Sequence, residues 1–307
     1  MLYFRNDYGA GAHPAVLEAL CGTNMELTPG YGTDQYTRQA AETIRDLCGV
    51  PDAAVHFLMG GTQTNKTAIA AFLRPYEAVL AAASGHICVH EAGAVEQDGH
   101  AVLRLPAPDG KLTPELLRSA MAGPVNEHTV VPRLAYISNT TELGTVYTRP
   151  ELLALRRCCD ELGLYLYCDG ARLGSAMDAG GTGFADYGAC CHAFTIGGTK
   201  NGLLLGEALV IAEPALRPGF RNCMKQQGAM LAKGRLLGVQ FEAILRDGLY
   251  LSLAAHANAQ AKRLAAGLER LGIPLLALAE SNQVFPILPD GAAEALGRSV
   301  EFEVERG

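Results

Sequence analysis

No C-x-x-C pair occurs among the nine cysteines of this 307-residue chain. Their number is odd, and four of them stand as the adjacent pairs Cys158-Cys159 and Cys190-Cys191. That pattern argues against a disulfide framework and a zinc site, and places the thiols as small apolar core residues in a reducing cytoplasm. Basic clusters are missing too. The net charge is -7, and the densest basic pair, Arg156-Arg157, falls on an amphipathic helical pattern. Neither a nucleic acid nor an acidic membrane surface is an expected partner. The opening residues, MLYFRNDYGAGAHP, lack a basic stretch followed by an apolar run, so no secretory leader is expected. No apolar run approaches membrane-spanning length, and neither an internal repeat nor a low-complexity segment is present.

What is there is a chain 49% hydrophobic and 19% charged, enough for one large domain with a small one attached. Short apolar runs predict strands over Ala54–Met59, Ala78–Ala82, Ala101–Leu105, Leu134–Ser138, Leu164–Cys168, Ala193–Ile196 and Ala208–Ala212. Most are continuous instead of alternating, as suits strands buried on both faces. Helical patterns cover Gln35–Cys48, Thr62–Leu73, Thr113–Met121 and Arg149–Leu162, the last with Thr148 as cap, Pro150 in its first turn and Gly163 as stop. The alternation predicts an α/β fold with an open, mostly parallel sheet. After residue 230 the texture changes. Two long helices (Ala232–Leu245 and Leu251–Leu271), a strand at Val284–Leu288, a short helix at Gly291–Gly297 and a final strand at Val300–Val304 are expected, the last with nothing to pair it. Residues 1–245 would form an N-terminal arm and large domain, and 246–307 a small C-terminal α/β domain.

Ligands of such sheets sit outside the carboxyl ends of the strands. Five predicted strand ends supply Gly60-Gly61-Thr62-Gln63, Ser84-Gly85-His86, Asn139-Thr140, Asp169-Gly170-Ala171-Arg172 and Gly197-Gly198-Thr199-Lys200. Together they offer a phosphate loop, an imidazole, an amide, a carboxylate, a guanidinium and an amine. Pyridoxal phosphate chemistry needs such a set: an amine to condense with the cofactor aldehyde, a carboxylate to keep the pyridine nitrogen protonated, and helix N-terminal amides for the phosphate. Lys200 and Asp169 are the amine and carboxylate candidates, and His86 would stack on the ring. A competing reading starts from Gly60–Thr67, one substitution from the P-loop pattern G-x-x-x-x-G-K-[ST]. Asn65 stands where that loop needs glycine, and the helix predicted from Thr62 would place Lys66 and Thr67 a full turn inside it. His86, His90 and Glu91 form H-x-x-x-H-E, which is not a zinc-binding order and has no evident third ligand.

The segments YCDGARLGSA, FTIGGTKNG, GGTQTN, SGHICVHEAGA, GYGTDQY and YISNTTELGTVY together resemble the low-specificity L-threonine aldolases, within the threonine aldolase and aromatic β-eliminating lyase group of fold-type-I pyridoxal phosphate enzymes. The D-G-A-R and G-G-T-K motifs, in that order and spacing, are specific as a pair. The resemblance implies a fold-type-I large domain with a truncated small domain, a further segment beyond residue 307 carrying another arginine, and a cytoplasmic homodimer or homotetramer with its site at a subunit interface. It implies that Lys200 bonds the cofactor, Asp169 pairs with its ring nitrogen, His86 stacks and assists proton transfer, and Gly61 and Thr62 hold the phosphate. Arg172 would reach cofactor or substrate carboxylate, and Asn6 would stand where many members have serine at the substrate carboxylate. Tyr31 and His128 would lie near the substrate hydroxyl, His128 as a candidate base, and Lys225 would reach a cofactor phosphate across the interface. The expected reaction is cleavage of L-threonine or L-allo-threonine to glycine and acetaldehyde. Alternatives are a β-eliminating lyase on another amino acid, a nucleotide-binding P-loop protein and a catalytically silent cofactor-binding fragment.

Overall fold

The computed structural model describes residues 1–123 and 126–304. Nine strands occur among them: β1 (Leu2–Tyr3), β2 (Ala54–Leu58), β3 (Glu77–Ala82), β4 (Val102–Leu105), β5 (Val131–Ser138), β6 (Tyr165–Asp169), β7 (Ala193–Gly197), β8 (Glu207–Ile211) and β9 (Val300–Glu301). Seven form one sheet in the order β2-β8-β7-β6-β5-β3-β4. Strand β8 runs antiparallel to both its neighbours, and every other pairing in this sheet is parallel. Six carboxyl ends and the amino end of β8 therefore share one edge.

The apolar runs are continuous because both faces of the sheet are covered. Phe57, Ile137, Cys168, Phe194 and Val210 point into one core with Ala40, Ile44, Leu152 and Leu155 from the helices Gln35–Cys48 and Arg149–Leu162. The alternate residues Leu58, Val79, Leu134, Tyr167 and Leu209 point into a second core with Ala68 and Ile69 of the helix Gly61–Phe72 and Phe220 of Phe220–Gln226. Local chemistry sets the helix ends. Asp34 accepts from the Thr37 amide at 2.9 Å, Thr148 and Glu151 form a capping box, and Gly49 and Gly163 stop their helices at φ of 65° and 68°.

The C-terminal stretch departs from expectation. Val284–Leu288 forms no strand and contributes one bridge, Pro286 to Leu275. Pro286 has no N–H to donate, and Pro289 follows three residues later, so a regular ladder is blocked there. The last strand, β9, is Val300–Glu301, and it does have a partner: it pairs in parallel with β1, with the Phe4 amide donating to the Glu301 carbonyl at 2.8 Å. The long helix Leu249–Arg270 lies on the helix Leu173–Gly180, where Gly174 allows Ala254 and Tyr250 to approach closely. Beyond it, Ser281 donates to the Gly144 carbonyl at 2.9 Å and Gln283 accepts from Thr140 at 2.8 Å. This segment is thus laced to the functional edge of the sheet.

Candidate functional site

Asp169 ends β6 at that edge, buried, and three donors hold its carboxylate. Asn65 Nδ2 and the Tyr136 hydroxyl donate to Oδ2 at 2.7 and 2.8 Å, and the Ala171 amide donates to Oδ1 at 2.9 Å. Asn65, the residue that breaks the P-loop pattern, is 0% exposed. Its Nδ2 also donates to Glu91 Oε1 at 2.8 Å, and its Oδ1 accepts from the Tyr167 hydroxyl at 2.9 Å. Lys66 points elsewhere, donating to Gln97 at 3.0 Å and lying 3.5 Å from Asp98.

His86 opens a short helix after β3. Its Nδ1 lies 2.7 Å from Glu91 Oε1, and its backbone amide donates to Glu142 Oε1 at 3.0 Å. Burial alone would lower the imidazole pKa, but the Glu91 hydrogen bond and the charges of Asp169 and Glu91 outweigh it, and the pKa is raised. Glu142 also accepts from Ser138 at 2.7 Å, and burial pushes its carboxyl up.

Lys200 follows β7. Its Nζ lies 5.9 Å from the centroid of the Tyr8 ring and has no ion-pair partner among the described residues. Burial and the neighbouring Arg172 guanidinium lower its pKa. Arg172 forms a bidentate pair with Asp7, Nε to Oδ2 at 2.6 Å and Nη2 to Oδ1 at 3.1 Å, and Asn282 donates to the same carboxylate at 3.0 Å. Burial would raise the Asp7 pKa, yet Arg172 more than compensates and holds it below the usual range. Gly61 and Thr62 begin their helix with no side chain capping it, and a Cβ at Gly60 or Gly61 would meet nothing within 4 Å. An open N-terminal amide cradle stands there.

Six predicted residues thus gather at one edge: Gly61, Thr62, His86, Asp169, Arg172 and Lys200. Asn6 does not reach Arg172. Its side chain accepts from the Tyr8 amide and donates to the Tyr3 hydroxyl, and the next residue, Asp7, meets the guanidinium. His128 is not at the site of its own chain. It lies 83% exposed in the loop before β5, near Glu127, and so at the opposite edge of the sheet. The eight residues of β5 rise about 26 Å between those edges. Tyr31 and Lys225 form a separate group. The Lys225 ammonium lies 4.8 Å from the Tyr31 ring centroid, Arg221 donates to the Tyr31 carbonyl at 3.0 Å, and the three line an open cavity of about 630 Å³. Tyr31 holds φ at 58°, the left-handed region that non-glycine residues seldom adopt. Sequence reasoning missed Asn65, Glu91, Tyr136, Glu142 and Asp7 as site residues, although all but Asp7 lie inside quoted motifs.

A family model described as beta-eliminating lyase matches residues 4–290. The chain is 34% identical over 298 residues to a low-specificity L-threonine aldolase of Pseudomonas aeruginosa, covering 95% of this chain and 86% of that protein. The solved structure of Leishmania major threonine aldolase superposes with a TM-score of 0.96 at 46% identity, covering 98% of this chain and 89% of that one. A Thermus thermophilus aspartate aminotransferase shares the fold alone, with a TM-score of 0.70 at 16% identity over 90% of this chain and 74% of that one.

Proposed function

Because the chain belongs to the beta-eliminating lyase family, we propose that it is a pyridoxal-phosphate-dependent aldehyde lyase, cleaving L-threonine or L-allo-threonine to glycine and acetaldehyde. One observation carries this reading: an amine without a carboxylate partner among the described residues, a carboxylate clamped by three donors and an open amide cradle stand at one sheet edge. These residues fit the cofactor. Lys200 would bond its aldehyde carbon, Asp169 would keep its ring nitrogen protonated, and the Gly61 and Thr62 amides would hold its phosphate. When bound, the cofactor supplies the sink for the electron pair released on Cα.

The chain's own residues supply the rest. Breaking the Cα–Cβ bond requires removal of the β-hydroxyl proton. His86 is tied through Nδ1 to Glu91, which leaves Nε2 to take that proton. Arg172 offers the planar fork that a substrate carboxylate needs. Asp7 holds that fork, so an incoming carboxylate displaces or shares it. Burial and Arg172 depress the Lys200 pKa and raise its neutral, nucleophilic fraction. Tyr31, Arg221 and Lys225 lie apart from Lys200 in their own chain, so we assign them to a site shared with a second copy in a homodimer or larger assembly. No described helix is long and apolar enough to cross a membrane, and a cytoplasmic location goes with the reading.

The test is acetaldehyde release from L-threonine and L-allo-threonine with added pyridoxal phosphate, read beside the visible absorption of the bound cofactor. The expected result is a band near the blue edge of the visible and acetaldehyde from at least one isomer, both lost in Lys200→Ala. No band overturns the cofactor assignment. A band without acetaldehyde overturns the aldolase assignment and favours a β-eliminating lyase.

A further inference from the structure

Glu207 opens β8 and is 3% exposed, and its Oε2 is buried without a hydrogen-bond partner. In register it stands opposite Leu58 on one side and Gly197 on the other. It therefore lies between the strand that leads into Gly60-Gly61-Thr62 and the strand that leads into Lys200. Directly opposed residues of an antiparallel pair present their side chains to the same face. Leu58 packs with Ala68 and Ile69 of the helix Gly61–Phe72, so Glu207 points to the face carrying that helix, at its N-terminal end. The carboxyl lies within hydrogen-bonding reach of the Thr199 hydroxyl and the Gly198 amide, and its Oε2 is left over as a buried oxygen without a partner.

We propose that Glu207 is a ligand of the cofactor phosphate and binds it as the neutral acid, donating the carboxyl hydrogen to a phosphate oxygen. The proposal rests on the pyridoxal phosphate reading above. Burial, with the charge of Asp169 adding to it, raises the Glu207 pKa to about 8. The other titratable groups that face it are Lys200 and the hydroxyls of Tyr167 and Tyr250, and burial keeps both phenols protonated. An ionised Glu207 would repel a phosphate dianion. Affinity is therefore present below about pH 8 and lost above it. If only the protonated form binds, affinity falls about tenfold between pH 7 and pH 9.

The experiment measures the affinity of 4-deoxypyridoxine 5′-phosphate, which lacks the aldehyde and cannot bond Lys200, from pH 7 to pH 9 by calorimetry. Wild type and Glu207→Gln are compared, with Glu207→Ser as a second donor-bearing variant should the amide disturb folding. The proposal expects similar affinities at pH 7, a decline in wild type, and a profile flatter by about tenfold in the variant, which keeps a donor but cannot ionise. Superimposable profiles overturn the proposal and leave the cofactor reading intact. Failure of the analogue to bind wild type at any pH overturns both.

Discussion

Substituting Asn65 by glycine would complete the sequence pattern of a nucleotide-binding loop, and the structure predicts that the result is a weakened fold, not a nucleotide site. Asn65 donates to two carboxylates, Asp169 at 2.7 Å and Glu91 at 2.8 Å, and accepts from the Tyr167 hydroxyl at 2.9 Å. Hydrogen bonds to charged groups contribute about 1.5–3 kcal/mol each and neutral ones about 0.5–1.5. Glycine in a helix adds a few tenths over asparagine. Losing all three bonds costs about 4 kcal/mol at the low end of those ranges, where entering water rescues part of the loss. That is a large fraction of the 5–15 kcal/mol that holds an ordinary domain together. The assay is urea denaturation of the apoprotein, followed by ATP and GTP titration of both proteins. The expected outcome is a much lower midpoint and no nucleotide binding by either. A variant within about 1 kcal/mol of wild type would refute the network's energetic role, and nucleotide binding by it would refute the whole assignment of this loop.

Four further outcomes follow from the same site. Glu91→Gln removes the charge that raises the His86 pKa; since the base is available only above that pKa, the acidic limb of kcat/KM moves to lower pH, and an unmoved limb rejects His86 as the base. Asp7→Asn costs about 2 kcal/mol of stability near pH 7. The Asp7 pKa is lowered in the fold, so its contribution is present above the ordinary value of 3.8 and lost as pH falls through the folded value; the gap between wild type and variant must narrow toward pH 3 in thermal melts. Gly170→Ala drives a Cβ into the Thr195 carbonyl oxygen and lowers stability by at least about 3 kcal/mol. Gly61→Ala meets open space and does not lower the melting temperature, while it narrows the phosphate cradle and weakens cofactor binding by titration.

How much was legible in the sequence turns on the direction of each strand. Continuous apolar runs revealed the strands because both sheet faces are covered, and residues just past those runs reach the functional edge wherever the strand is parallel. Lys200, Asp169, His86 and Gly61 were accessible in that way. His128 precedes β5 in the chain, so the same rule puts it at the far edge, and family likeness alone had drawn it in. Glu207 is the converse case. It is the first residue of its strand, but β8 is antiparallel, which brings the start of that strand to the edge where the others finish. Strand polarity is a property of long-range pairing, and nothing in the local run Glu207–Ile211 announces it. Asn65 and Glu91 fail for a different reason: each lies past the strand end it serves, and only packing of the helix against β6 turns the Asn65 amide toward Asp169. The residue that spoiled the P-loop match is therefore explained by a contact 104 positions away, which no motif of local spacing contains.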